Sequence, residues 1–85
     1  MNENAQHKKT DVALPDLGEV NETIIVEWLK KLGDTVSEGE DLVEVETEKT
    51  TFLVPAPLAG RLGRIHLQAG ERARVGDVLG EIERV

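Results

Sequence analysis

Lys49 is the residue of this chain best placed to do chemistry, because of what surrounds it. It stands between two short apolar runs, Val43-Glu44-Val45 and Phe52-Leu53-Val54, and follows Glu46 and Glu48. Successive strand residues point to opposite faces, so an odd-numbered apolar set must hand over to an even-numbered set across a turn. Pairing 45 with 52 and 43 with 54 centres that turn between Glu48 and Lys49, with Thr47 and Thr50 on the inner face. The lysine then stands at a hairpin tip, pointing away from any core. Held in water beside acids, it is not the desolvated amine that Schiff-base or general-base chemistry requires. What such a residue can do is accept a group from an enzyme that supplies the catalysis, and carry it. No residue of the chain is assigned a catalytic role.

The other chemistries find no residues. With no cysteine among the 85 residues there is no disulfide, thiolate zinc site or cysteine nucleophile. His7 and His66 lie far apart without a partner at ligand spacing, so no metal site is assigned. The glycines form no phosphate-loop or dinucleotide fingerprint. Net charge is −7, and seven acids fall between Asp34 and Glu48, which argues against nucleic acid and anionic membrane surfaces as partners.

Elements able to hold the hairpin follow from the pattern. Met1 to Thr10 lacks a signal core and reads as a disordered lead-in, leaving 11–85 as one domain. The default compartment is the cytoplasm, or the mitochondrial matrix if the chain comes from a eukaryotic precursor, and the domain is expected to be monomeric. Val12 to Leu14 begins a strand ending at Pro15-Asp16-Leu17-Gly18, and the β-branched start of Thr23–Leu32 favours strand for that segment. A shift of 37 residues lays Gly33 on Gly70, Gly39 on Gly76, Leu42 on Leu79, Glu44 on Glu81 and Val45 on Ile82. Neither copy can bury its apolar face alone, so the two must face each other about a pseudo-twofold axis. The expected fold is all-β, a flattened barrel or sandwich of two small antiparallel sheets. The first copy runs on into the lysine hairpin and the second does not, so Lys49 and the end of the second copy should lie at opposite ends.

Gly33-Asp34-x-Val36-x-x-Gly39-x-x-Leu42-x-x-Val45-Glu46-x-Glu48-Lys49-Thr50, followed by Val54-Pro55-Ala56-Pro57-x-Ala59-Gly60, resembles the lipoyl domains of 2-oxo acid dehydrogenase complexes. The resemblance runs from about Val12 to Val85. It implies two four-stranded sheets, a barrel-sandwich hybrid, with lipoate in amide linkage to Lys49. It further implies a lipoate ligase or lipoyl transferase, a thiamine-diphosphate-dependent 2-oxo acid decarboxylase, an acyltransferase core and a dihydrolipoamide dehydrogenase as partners. Carried over residue by residue, Leu17, Glu19 and Asn21 in the loop after the first strand become candidate decarboxylase contacts. Glu46, Glu48 and Thr50 become candidates for recognition at the tip. The family's usual Asp-Lys-Ala is Glu48-Lys49-Thr50 here, and Leu53 takes an outward position where the family often has a charge. The parent would be a dihydrolipoamide acyltransferase, the domain itself being a carrier and no enzyme. Two alternatives are a biotin carrier of a carboxylase, whose family flanks its lysine with methionines absent here, and an unmodified barrel module like those of efflux adaptors.

Overall fold

The computed structural model describes residues 9–20 and 22–84. Its strands are β1 (Lys9–Ala13), β2 (Thr23–Trp28), β3 (Thr35–Val36), β4 (Asp41–Thr47), β5 (Thr51–Pro55), β6 (Gly60–Ile65), β7 (Arg72–Ala73) and β8 (Val78–Glu83). They form two four-stranded antiparallel sheets ordered β1-β8-β6-β3 and β5-β4-β2-β7. Inward and outward residues alternate along the strands except where the register shifts, as at the adjacent buried pair Leu42 and Val43, and the core between the sheets is aliphatic: Val12, Leu14, Ile25, Val36, Leu42, Val43, Val45, Val54, Leu62, Leu79 and Ile82 are buried.

The 37-residue repeat is a structural dyad. It carries β2 onto β6, β3 onto β7 and β4 onto β8, and the hydrogen bonds follow. Gly33 N–H donates to the Leu62 carbonyl and Gly70 N–H to that of Ile25; Gly39 N–H donates to Ala56 and Gly76 N–H to Leu14. All four glycines hold positive φ, between 85° and 91°, a conformation that costs a residue with a Cβ but not glycine. The mate of β1 is β5, because Val12 faces Gly80 as Val54 faces Val43.

Two expectations are corrected. The strand expected over Thr23–Leu32 stops at Trp28. Beyond it the backbone is committed to a turn, with Leu29 N–H donating to the Leu42 carbonyl and Asp34 N–H to that of Lys31. Leu32 is left 61% exposed. The lead-in expected over 1–10 is too long, since Lys9 and Thr10 belong to β1 and pair with Glu83 and Ile82. Its remainder, residues 1–8 with His7, lies outside the described residues, as do Asn21 and Val85.

The connections fix which end is which. Thr23 faces Thr47 at the hairpin end of β2, and Trp28 faces Val43 away from it. The turn after β2 delivers the chain to β3, which pairs with the start of β6, and that start faces Glu83. The end of β8 and the beginning of β1 therefore lie at the opposite end from the β4–β5 tip, as expected.

Candidate functional site

The β4–β5 register is Val45 to Phe52, Val43 to Val54 and Glu46 to Thr51, which leaves Glu48 and Lys49 as the tip. Tight two-residue hairpins usually need positive φ, but among the described residues only glycines have it. A threonine supplies the missing order. Thr47, 7% exposed, donates its N–H to the Thr50 carbonyl at 2.8 Å. Its Oγ1 accepts the N–H groups of Lys49 at 3.0 Å and Thr50 at 3.1 Å, and its hydroxyl donates to the Thr50 carbonyl at 2.9 Å. The tip is thus fastened from within while Glu48, Lys49 and Thr50 are exposed. Of the two threonines expected on the inner face, only Thr47 is buried.

The loop after β1 reaches this tip. Asp16 Oδ1 accepts the Gly18 N–H at 2.9 Å, a turn for which Gly18 adopts φ 91°. Leu17 is half-buried against the core, so it anchors the loop. Glu19 is exposed, and Asn21 lies outside the described residues. Contact with the hairpin is made by Glu22, whose N–H donates to Glu48 Oε1 at 3.4 Å. Glu22, Ile24, Glu46, Thr47 and Glu48 line a groove of about 210 Å³ beside the tip. Glu46 is exposed there on the outer face of β4. Glu22 and the hydroxyl of Thr47 are the two features the sequence reading missed. Glu22 was accessible in principle, since it precedes the residue that faces Thr47 across β2 and β4.

An exposed primary amine on a rigid tip, alongside an open groove, fits a group attached through an amide, which needs an accessible nitrogen and no enclosing pocket. Among the described residues no cluster of His, Cys, Asp and Glu has the arrangement of a metal site.

Comparison with known proteins agrees with this geometry. The family model described as "Biotin-requiring enzyme" matches residues 10–82. The dihydrolipoyllysine-residue succinyltransferase component of the 2-oxoglutarate dehydrogenase complex of Bartonella vinsonii is 44% identical over 75 residues, covering 87% of this chain and 18% of that protein. The dihydrolipoyllysine-residue acetyltransferase component of the pyruvate dehydrogenase complex of Mycoplasma capricolum is 45% identical over 73 residues, covering 85% of this chain and 17% of that one. The chain thus spans less than a fifth of these relatives. Among solved structures, the lipoyl domain of the Azotobacter vinelandii 2-oxoglutarate dehydrogenase complex superposes with a TM-score of 0.69 at 29% identity, covering 85% of this chain and 92% of that one. A single-chain, multi-domain long-chain acyl-CoA carboxylase shares the fold, with a TM-score of 0.71 at 24% identity over 94% of this chain and 7% of the carboxylase.

Proposed function

The chain belongs to the biotin- and lipoyl-attachment family, and from that membership we propose that it is a lipoyl carrier domain with Lys49 as the attachment residue. The observation that carries the reading is the tip itself: an exposed amine on a two-residue turn fastened by Thr47. The relatives named for dihydrolipoyllysine residues favour lipoate over biotin, as does the absence of methionine beyond Met1.

Lys49 Nζ would supply the amide nitrogen, and its acylation removes one positive charge from an already acidic tip. Lys49 would hold lipoate, whose dithiolane would supply acyl-carrying and dithiol–disulfide chemistry between a 2-oxo acid decarboxylase, an acyltransferase and a dihydrolipoamide dehydrogenase. The protein holds the amine clear of the core, keeps the tip rigid and presents it to each enzyme in turn. Tethering replaces diffusion between active sites by a high effective concentration. The parent protein would be a dihydrolipoamide acyltransferase.

Intact mass after incubation with lipoate, biotin, ATP and both types of ligase tests the reading on wild type and Lys49→Arg. A lipoyl increment present in wild type and lost in the variant, with unchanged melting of the variant, is the expected result. Retained lipoyl incorporation in Lys49→Arg would refute the site, and a biotinyl increment would move the chain to carboxylase chemistry.

A further inference from the structure

The groove beside the tip continues into a second hollow. Glu22, Thr23, Arg72, Ala73 and Arg74 line a space of about 250 Å³ that shares Glu22 with the first. The register puts the two in line across the sheet. Thr23 faces Thr47 on one side and Ala73 on the other, and Ile24 likewise faces Glu46 and Arg72. Half-buried Ile24 therefore separates an acidic end, Glu22, Glu46 and Glu48, from a basic end, Arg72 and Arg74. Neighbouring strands lie about 4.8 Å apart, so Arg72 stands about 10 Å across the sheet from the strand that leads into the tip.

The fold does not require these charges. The 37-residue repeat lays Glu22 on Ala59, Arg72 on Thr35 and Arg74 on Ser37, and β3 pairs with β6 at the other end as β7 pairs with β2 here, without any of the three. Arg72 Nη1 lies 4.0 Å from Glu22 Oε2, with both side chains exposed, and such a surface pair contributes little to stability. Arg74 donates its backbone N–H to Asp77 Oδ2 at 2.8 Å. Its guanidinium has no ion-pair partner among the described residues. Two exposed guanidinium groups on one rim match a carboxylate, whose two oxygens accept from their planar forks.

We propose that the two hollows form one seat for the arm on Lys49, and that Arg72 and Arg74 select a cargo ending in a carboxylate, the acyl group of a dicarboxylic 2-oxo acid. The inference rests on the carrier reading and narrows its substrate class. The tether chooses the occupant, because a group joined to Lys49 is held beside the groove at a high effective concentration. The order of charges chooses the cargo. The uncharged chain of the arm passes the acids and Ile24, where an anion is repelled, and only its far end reaches the arginines. A cargo ending in a methyl group gains nothing from either guanidinium.

The chain has no cysteine, so Lys49→Cys supplies one thiol for arms of defined chemistry, with no ligase or partner enzyme involved. Two iodoacetamides of equal arm length, one ending in a carboxylate and one in a methyl group, are attached to the ¹⁵N-labelled chain. The carboxylate arm should shift the amides of Ile24 and residues 72–74 and the Nε–H signals of Arg72 and Arg74. The methyl arm, and lipoate on the wild-type chain, should shift Ile24 and Glu46 and leave 72–74 unmoved. The shifts specific to the carboxylate should vanish in Arg72→Gln/Arg74→Gln and shrink several-fold in 1 M salt, where the Debye length is about 3 Å. Arg61→Gln/Arg64→Gln, on the other sheet, should leave them unchanged. Equal shifts from the two arms overturn the selection by arginine, and shifts confined to residues 48–50 overturn the seat. Carboxylate-specific shifts that persist in Arg72→Gln/Arg74→Gln belong to another cation and overturn the site. Lipoyl incorporation is read separately by intact mass; its absence overturns the carrier reading and the cargo with it, whatever the two arms show.

Discussion

Thr47 does at the tip what glycine or asparagine does in most tight hairpins. Its hydroxyl satisfies two backbone donors of the tip, so the position of Lys49 depends on one oxygen atom. Thr47→Val keeps the shape of the buried side chain and removes that oxygen. Loss of about 1 kcal/mol of stability is expected, in line with an ordinary intramolecular hydrogen bond. The rate of lipoyl incorporation should fall several-fold, with Thr47→Ser close to wild type. A valine variant modified at the wild-type rate would show that the tip needs no internal fastening. Lys49 itself was legible from the alternation of Val43, Val45, Phe52 and Val54, because a strand period of two leaves one register. The role of the Thr47 oxygen was not, since nothing in a sequence distinguishes a threonine turned inward to pack from one turned inward to donate and accept.

At the scale of elements, the turns at Gly39 and Gly76 are equivalent in the two copies, with φ of 85° and 89° and hydrogen bonds to Ala56 and Leu14. A valine at either is expected to destabilise by about 1 kcal/mol or more, because its Cβ opposes positive φ although open space surrounds both sites. Thermal melts of the two variants check this, and two unchanged melting temperatures would show that the turns tolerate branching. These glycines were visible as a repeat. The end of β2 was not, because Leu29 and Leu32 extend an apolar pattern whose backbone the tertiary structure spends on a turn. Nor was the packing of Trp28, whose indole lies over Gly80 of the other sheet and donates to the Leu67 carbonyl at 2.8 Å. A Cβ at Gly80 would come within 2.8 Å of that ring, and no local pattern couples residues 52 positions apart.

Across the whole molecule, acid should act on the β1-β8-β6 sheet through Glu81, which meets Lys9 and His66. The hydrogen bond from His66 chiefly, with help from the nearby charges of Lys9, His66 and Arg64, holds the Glu81 carboxyl below its ordinary value of 4.5 against desolvation, which opposes it and ranks second only to that hydrogen bond. A lowered folded value means stability that is complete above about 4.5 and drains away as pH falls through the folded value. Relief of the −7 net charge works the other way over the same range, so the comparison must be with Glu81→Gln. The melting temperature of wild type should fall more steeply below about pH 4.5 than that of the variant; parallel curves would remove Glu81 from the account. The same dyad that pairs the two sheets also pairs the two ends of the molecule. Glu46 and Thr51, joined by the four residues Thr47–Thr50, have as mates Glu83 and Lys9, which face each other across β8 and β1. The fold therefore contains, at the far pole, a strand pair equivalent to the one that carries the Lys49 hairpin. Bridging Glu83 to Lys9 with Thr-Glu-Lys-Thr, and opening the chain in the loop after β1, would give a circularly permuted domain with a tip lysine at each pole.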